Sequence, residues 1–306
     1  MGITLVQKVA GMSMDSNVSW NPALNVMRAL EGLQNGDVSG DTAPCYEDQC
    51  DPLEFNADTT LFAQGNGDQH AVDPNDVKQN GSVANCYLMA SIAAVAEQNP
   101  QYIQDMIQDN GDGTYTVTLH EYDKGGLFGT GFLGSGEWKP VEVTVTADFP
   151  ESGSGLSGDK DADGAVEIWP QLIEKAYAEL SRGGSDDYAN LDYGDATDAL
   201  GAILGDSNDW SSMEDYSFEQ LQTDFDAGNA IVASTPKMGD VDSKHEALFS
   251  QHSLANNHVY SVSNVYVDGD GVQMVELNNP WGHGHVTMPY EDAQALFSRT
   301  ASVSTD

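Results

Sequence analysis

Apolar positions are sparse and irregular up to about residue 60, then fall into repeating patterns that persist to the end of the sequence. In the early stretch only Asn21 to Leu33, with Pro22 in its first turn, has the spacing of a short amphipathic helix. The Gly-, Asp-, Ser- and Thr-rich residues around it are either a mobile, propeptide-like extension or an ordered decoration. From Asp73 the pattern tightens. A turn at Asp73-Pro74-Asn75-Asp76 leads to an Ala-rich apolar helix from Cys86 to about Gln98, and a second short helix is expected over Tyr102–Ile107. Strand-like alternation follows at Thr114–His120 and Glu137–Val145, the first announced by the turn Asn110-Gly111-Asp112-Gly113. Over Trp169–Leu180 the apolar residues Trp169, Leu172, Ile173, Ala176, Tyr177 and Leu180 recur at helical spacing, and Thr197–Leu204 predicts a shorter helix. Around 205–215 the composition shifts to Asp, Ser and Asn. Beyond that boundary the pattern is strand-rich: Ala230–Ser234, then His258–Val267 and Val272–Leu277, joined as a hairpin by Asp-Gly-Asp-Gly at 268–271. The organisation predicted is an N-terminal extension (1–60), a mostly helical lobe (61–210) and a sheet-rich lobe (211–306), an α+β protein.

Charge narrows the range of partners. With 49 Asp and Glu against 11 Lys and Arg, the net charge is −38. Such a field repels nucleic-acid phosphates and anionic membrane surfaces, so no nucleic-acid partner is expected. A high-salt habitat, a calcium-rich extracellular setting or lineage bias would each account for it. No apolar run reaches the roughly 18 residues of a membrane span, and residues 1–9 lack the basic start and apolar run of a classical signal peptide. Asp159-Lys160-Asp161-Ala162-Asp163-Gly164 is similar to the start of an EF-hand loop, but Pro170 stands where the bidentate Glu belongs, which favours a solvated acidic loop.

Three cysteines are present. Cys45 and Cys50 flank a polar loop and form either a small disulfide ring or two free thiols. Cys86 is the odd one, placed by the Gly81-containing turn at a helix start, where unpaired N–H groups and the helix dipole favour a thiolate. It is either a nucleophile or a small buried hydrophobe. A Cys-His-Asn site needs a distant histidine and an amide that orients it. His258 and Asn279 sit at the open ends of two antiparallel strands, so the hairpin brings them together. His283 and His285, after a Gly-rich turn, read as surface residues, with transition-metal chelation alongside His258 as the alternative. His120 reads as a surface or packing residue.

Four segments resemble, in order, the motifs of the calpain family of papain-like cysteine proteases: Gln79–Ala90 around the cysteine, Trp169–Ala178, Asn257–Val262 around the histidine, and Leu277–Gly282 with Asn-Pro-Trp-Gly. The resemblance covers about residue 60 to the C-terminus. It implies a two-lobed papain-like fold with a cleft between the lobes, and endopeptide hydrolysis of a protein or peptide substrate through a Cys86 thioester. It further implies His258 as general base and acid, Asn279 as the orienting amide, and Trp281 shielding their bond, with Gly81 also beside the substrate. The oxyanion hole would combine the Cys86 N–H with the Gln79 side-chain amide. Asp76 and Glu174 fall on carboxylates of one family calcium site, so Ca2+ activation is implied. Two departures stand out: one extra residue between Gln79 and Cys86, and Ala84-Asn85 where the family has Gly-Asp. If the family turn needs a positive φ, Ala84 fits it poorly. A catalytically inactive binding module, or a cysteine acyltransferase on the same scaffold, are the alternative functions.

Overall fold

The computed structural model describes residues 59–64, 71–79, 83–124, 136–149, 165–181, 188–241 and 243–306. The expected helix at 21–33, Cys45, Cys50, Gly81 and the acidic loop at 159–164 lie outside the described residues.

The chain enters with β1 (Thr59–Thr60) and a single 3-10 turn, Pro74–Asp76, closed by a reciprocal capping box between Asp73 and Asp76. Helix α1 (Cys86–Gln98) follows, with every residue from Tyr87 to Ala96 buried. Its small alanines let neighbouring elements approach closely on all sides, so it is a central core helix and not an amphipathic surface one. Asn99 stops it and at once caps α2 (Pro100–Asp105), its side chain accepting the N–H of Tyr102 at 3.0 Å. Thus α2 starts at the proline, two residues before the position expected from the apolar pattern.

Three antiparallel strands come next, β2 (Ile107–Asp109), β3 (Thr114–Asp123) and β4 (Glu137–Thr146), in the order β2-β3-β4. The short β5 (Val166–Glu167) pairs in parallel with β1 and delivers the chain to α3 (Trp169–Ser181). On α3 the polar residues Gln171, Glu174 and Lys175 are buried along with the apolar face. Burying a lysine is costly unless its ammonium is satisfied. Here Lys175 Nζ reaches Asp148 Oδ1 at 2.6 Å and the Asp148 carbonyl at 2.7 Å. Then α4 (Ala196–Leu204), capped by the Asp195 side chain, ends at Gly205 in the left-handed conformation (φ 73°).

The remaining elements are β6 (Ser211–Ser212), α5 (Phe218–Asp226), β7 (Asn229–Ser234), α6 (Glu246–Gln251), β8 (Val259–Val267), β9 (Gln273–Asn278), β10 (Val286–Pro289), α7 (Tyr290–Leu296) and β11 (Arg299–Ser304). Six strands form one antiparallel sheet in the order β10-β9-β8-β7-β11-β6. Strand β7 alternates between two cores. Ala230 and Val232 join the cluster around α1, whereas Ile231 and Ala233 join a second cluster with Phe218, Leu221 and Tyr290. One sheet therefore serves both cores, each using one of its faces. The β8–β9 hairpin closes as the sequence predicts. Asp268 Oδ1 accepts the N–H groups of Asp270 and Val272, and Gly271 takes a positive φ of 83°.

The region after residue 210 is less strand-dominated than its pattern indicates, because α5, α6 and α7 lie within it. These helices span nine residues or fewer. They are too short for a clear apolar repeat, and only α5 among them has a side-chain cap, Ser217, whose hydroxyl accepts the Gln220 N–H at 3.1 Å. No helix among the described residues is long and apolar enough to cross a membrane.

Leu88 is fully buried in α1. Replacing Leu88 with Ala should lower unfolding free energy by about 2–5 kcal/mol. Urea denaturation should register this as a lower midpoint with an unchanged slope.

Candidate active site

Three long-range hydrogen bonds hold the turn ahead of Cys86. Ala84 donates its N–H to Asp192 Oδ1 at 2.6 Å and accepts the N–H of Tyr193 at 3.0 Å. Asn85 stands at the N-cap position of α1 but makes no capping bond. Its Nδ2 instead donates to Glu174 Oε1 of α3 at 2.6 Å, and both residues are fully buried. Ala84 is absent from the residues with positive φ, among the described residues Tyr193, Ser253 and Asn257 besides glycines. The Ala in place of Gly is therefore accommodated without left-handed strain.

Cys86 is partly buried at the start of α1. Burial pushes its thiol above the ordinary value, outweighing backbone hydrogen bonds from Val259, Tyr87 and Cys86 itself that work the other way. This corrects the expectation from the helix start. The dipole argument has the right sign, but desolvation is the larger effect and shifts the balance toward the thiol.

The histidine side of the site is built on the hairpin. Asn257 adopts a left-handed φ of 49°, a conformation that Asn tolerates better than most residues, and this aims His258 off the start of β8. Thr235, just after β7, anchors the His258 backbone twice: its Oγ1 accepts the His258 N–H at 3.0 Å and its own N–H donates to the His258 carbonyl at 2.9 Å. His258 Nε2 lies 2.9 Å from Asn279 Oδ1. Asn279 Oδ1 also accepts the N–H of Trp281 at 3.1 Å, which fixes the amide with its oxygen toward the imidazole. An amide oxygen only accepts, so Nε2 carries the proton and Nδ1 is left as the basic nitrogen of the neutral ring. Burial lowers the His258 pKa, opposed by the bond to Asn279. The Trp281 ring stands 4.6 Å from the imidazole centroid, tilted by 42°, and is 41% exposed, so it covers the bond on the solvent side.

The two halves meet closely. Val259, one residue after His258, contacts the Cys86 thiol through its backbone, and Gln79 donates its N–H to the Pro280 carbonyl at 2.6 Å. The Gln79 side chain, however, is turned inward. Its Nε2 donates to the Val83 carbonyl at 2.7 Å, and its Oε1 is buried without a hydrogen-bond partner. His285, read from the sequence as a surface residue, also accepts through Nδ1 the N–H of Asn279 at 3.1 Å. Sequence reasoning missed the roles of this histidine, Thr235 and Asn257, although an Asn before the histidine is a residue type that tolerates the left-handed conformation.

A model of the calpain family of cysteine proteases matches residues 52–303. The chain belongs to that family. Similar calpains include calpain-13 of Rattus norvegicus, 28% identical over 67% of this chain and 29% of that protein. Calpain-5 of Mus musculus is 25% identical over 82% of the chain and 40% of its own length. The calpain-2 catalytic subunit of Gallus gallus is 27% identical over 69% of the chain and 29% of its own length. The chain thus spans about a third of the length of these calpains. The α+β, papain-like fold class read from the sequence is that of the calpain protease core.

Calcium, which calpain membership implies, can be tested against the residues present. Asp76 and Glu174 offer the hard oxygens that calcium takes. Asp76 Oδ2 already accepts the N–H of Asp73 at 2.8 Å, and Glu174 Oε1 accepts from Asn85. Among the described residues no group of three or more His, Cys, Asp or Glu could hold a metal ion. Asp76 and Glu174 would supply two of the oxygen ligands calcium takes, the others coming from carbonyl groups or water, and His258, His283 and His285 do not form a metal-holding group.

Because burial raises the Cys86 thiol, its alkylation by iodoacetamide should accelerate about tenfold per pH unit through the neutral range and level off only at alkaline pH. A plateau already present at pH 5–8 would show a preformed thiolate–imidazolium pair instead. Mass spectrometry of the Cys86 peptide across pH 5–10 distinguishes the two.

Proposed function

We propose that the chain is a cysteine endopeptidase that hydrolyses peptide bonds through a thioester on Cys86. The observation that carries this reading is the His258–Asn279 bond, which fixes the tautomer with a basic Nδ1, together with the backbone contact of the adjacent Val259 to the Cys86 thiol. In this reaction His258 Nδ1 takes the thiol proton as Sγ attacks the peptide carbonyl carbon. The oxyanion that forms is met by the Cys86 N–H and by Gln79 Nε2–H, once that amide leaves the Val83 carbonyl. Collapse breaks the C–N bond, and the leaving amine takes the proton from His258. Water, deprotonated by His258, then attacks the thioester, releasing the carboxylic acid and restoring the thiol. Each turnover consumes one peptide bond and one water.

Wild-type protein should cleave casein and an unstructured reporter peptide, whereas Cys86→Ala should not. Asn279→Ala, which loses the tautomer-fixing acceptor, should lower kcat/KM roughly 10²-fold. Absence of wild-type cleavage would overturn the reading in favour of a non-catalytic binding module. Amine incorporation in excess of hydrolysis would point to acyl transfer.

Calcium activation is a separate proposal, motivated by the two buried carboxylates Asp76 and Glu174, with Glu174 bonded to the residue before Cys86. No step of the reaction runs through the ion. Labelling of Cys86 by an epoxide inhibitor should be faster with calcium than with chelator at fixed ionic strength; equal rates would remove the proposal.

A further inference from the structure

We propose that His285 is a positioning residue of the active site: as a neutral imidazole it holds the backbone of Asn279, and its protonation releases the amide that orients His258. This inference rests on the cysteine-peptidase reading for its kinetic arm.

The geometry is a relay of three hydrogen bonds through one residue. Asn279 donates its N–H to His285 Nδ1 at 3.1 Å, while its Oδ1 accepts from His258 Nε2 at 2.9 Å and from the Trp281 N–H at 3.1 Å. A backbone N–H only donates, so His285 Nδ1 must be unprotonated and its ring proton must sit on Nε2. The chain doubles back to make this contact. Gly282 donates its N–H to the Asn279 carbonyl at 3.0 Å, and Gly282 and Gly284 adopt positive φ values of 73° and 70°. A Cβ on Gly284 would sit 3.5 Å from Asn279 Nδ2, so this glycine lies directly against the orienting amide. Asn279 itself is 4% exposed, so an N–H deprived of His285 has little access to water as a substitute partner.

His285 is exposed and can exchange protons with solvent. The charged and titratable groups around it are His283 in the same turn, Lys78 packed over Gly282, Glu276 on β9 opposite Thr287, and His258 across Asn279. Partial desolvation of the ring, which is turned toward Asn279, and then the neighbouring His283 hold its pKa below the ordinary histidine value. The neutral, bond-accepting form therefore persists to lower pH than in an unperturbed histidine, and is lost as pH falls through that lowered pKa. Protonation places an N–H where the Asn279 N–H now points, so the two donors repel.

The test compares wild type, His285→Gln and His285→Ala. Glutamine supplies a carbonyl oxygen that accepts the Asn279 N–H and does not titrate. The kcat/KM for a reporter peptide should fall at acid pH with two-proton steepness in wild type, from His258 and His285, and with one-proton steepness in His285→Gln. At pH 8, His285→Gln should stay within about threefold of wild type, and His285→Ala should fall roughly three- to tenfold. A residue that only stabilised the fold would not change the steepness. Retention of the two-proton limb in His285→Gln would overturn the proposal, whatever becomes of His285→Ala. An arm independent of turnover uses ¹⁵N-histidine NMR on the Cys86→Ala protein. The His258 Nε2–H resonance should broaden or shift as His285 takes its proton, and should lose that step in the Cys86→Ala, His285→Gln protein. A His285 titration that leaves the His258 signal unmoved would overturn the positioning role. If wild type shows no peptidase activity, the proposed reaction fails, while the NMR titration still decides this relay.

Discussion

An amide oxygen accepts hydrogen bonds and never donates them, and at Asn279 that asymmetry settles the chemistry of the site. It forces the His258 proton onto Nε2, which leaves Nδ1 as the basic nitrogen, and the Trp281 N–H keeps the amide from turning over. Much of what supports this bond is the surrounding main-chain framework. The β8–β9 hairpin sets the separation of the two residues, Thr235 pins the histidine's main chain from β7, and Asn257 supplies the left-handed step that redirects it. The six-stranded sheet therefore does more than fill a core: its register is what aligns acceptor with ring.

The cysteine side depends on a different balance. Local electrostatics at the start of α1 favour a thiolate, but the sulfur is largely removed from water and burial raises the thiol instead. The same competition runs through the rest of the molecule. A chain of net charge −38 still buries Asp76, Glu167 and Glu174, and their environments are built from donors such as the N–H groups of Asp73 and Ala63 and the Asn85 amide. The asparagine before Cys86 belongs to this pattern. As a neutral donor it meets Glu174 directly, in a position where an aspartate would set two carboxylates face to face.

Much of this was legible from residues alone, and the exceptions have physical reasons. Helices α1 and α3 and the hairpin carry long, unambiguous periodicities, so their extents follow the apolar pattern closely. Helices α5, α6 and α7 are too short to carry a full apolar repeat, and so the pattern passed over them. His258 and Asn279 were paired because a hairpin makes sequence-distant residues neighbours. His285 was not, because its contact depends on two left-handed glycines reversing the chain, which leaves no periodic trace. The Asn85–Glu174 bond spans 89 residues and joins two helices whose packing no local signal specifies. The desolvation of the thiol was not legible for a related reason: the dipole at a helix start can be read from a few residues, whereas burial depends on the whole surrounding structure.

The inward-turned Gln79 side chain bears on which molecules could serve as substrates. With Nε2 engaged by the Val83 carbonyl, the resting protein holds one of its two proposed oxyanion donors in reserve. Releasing it means breaking a short hydrogen bond inside the turn, and under the proposed reading that cost would be met by contacts of a bound polypeptide elsewhere on the protein. Extended polypeptides can supply such contacts on both sides of the scissile bond, whereas small esters and short amides cannot. Under the proposed peptidase reading, such an arrangement would discriminate by length before it discriminated by side chain.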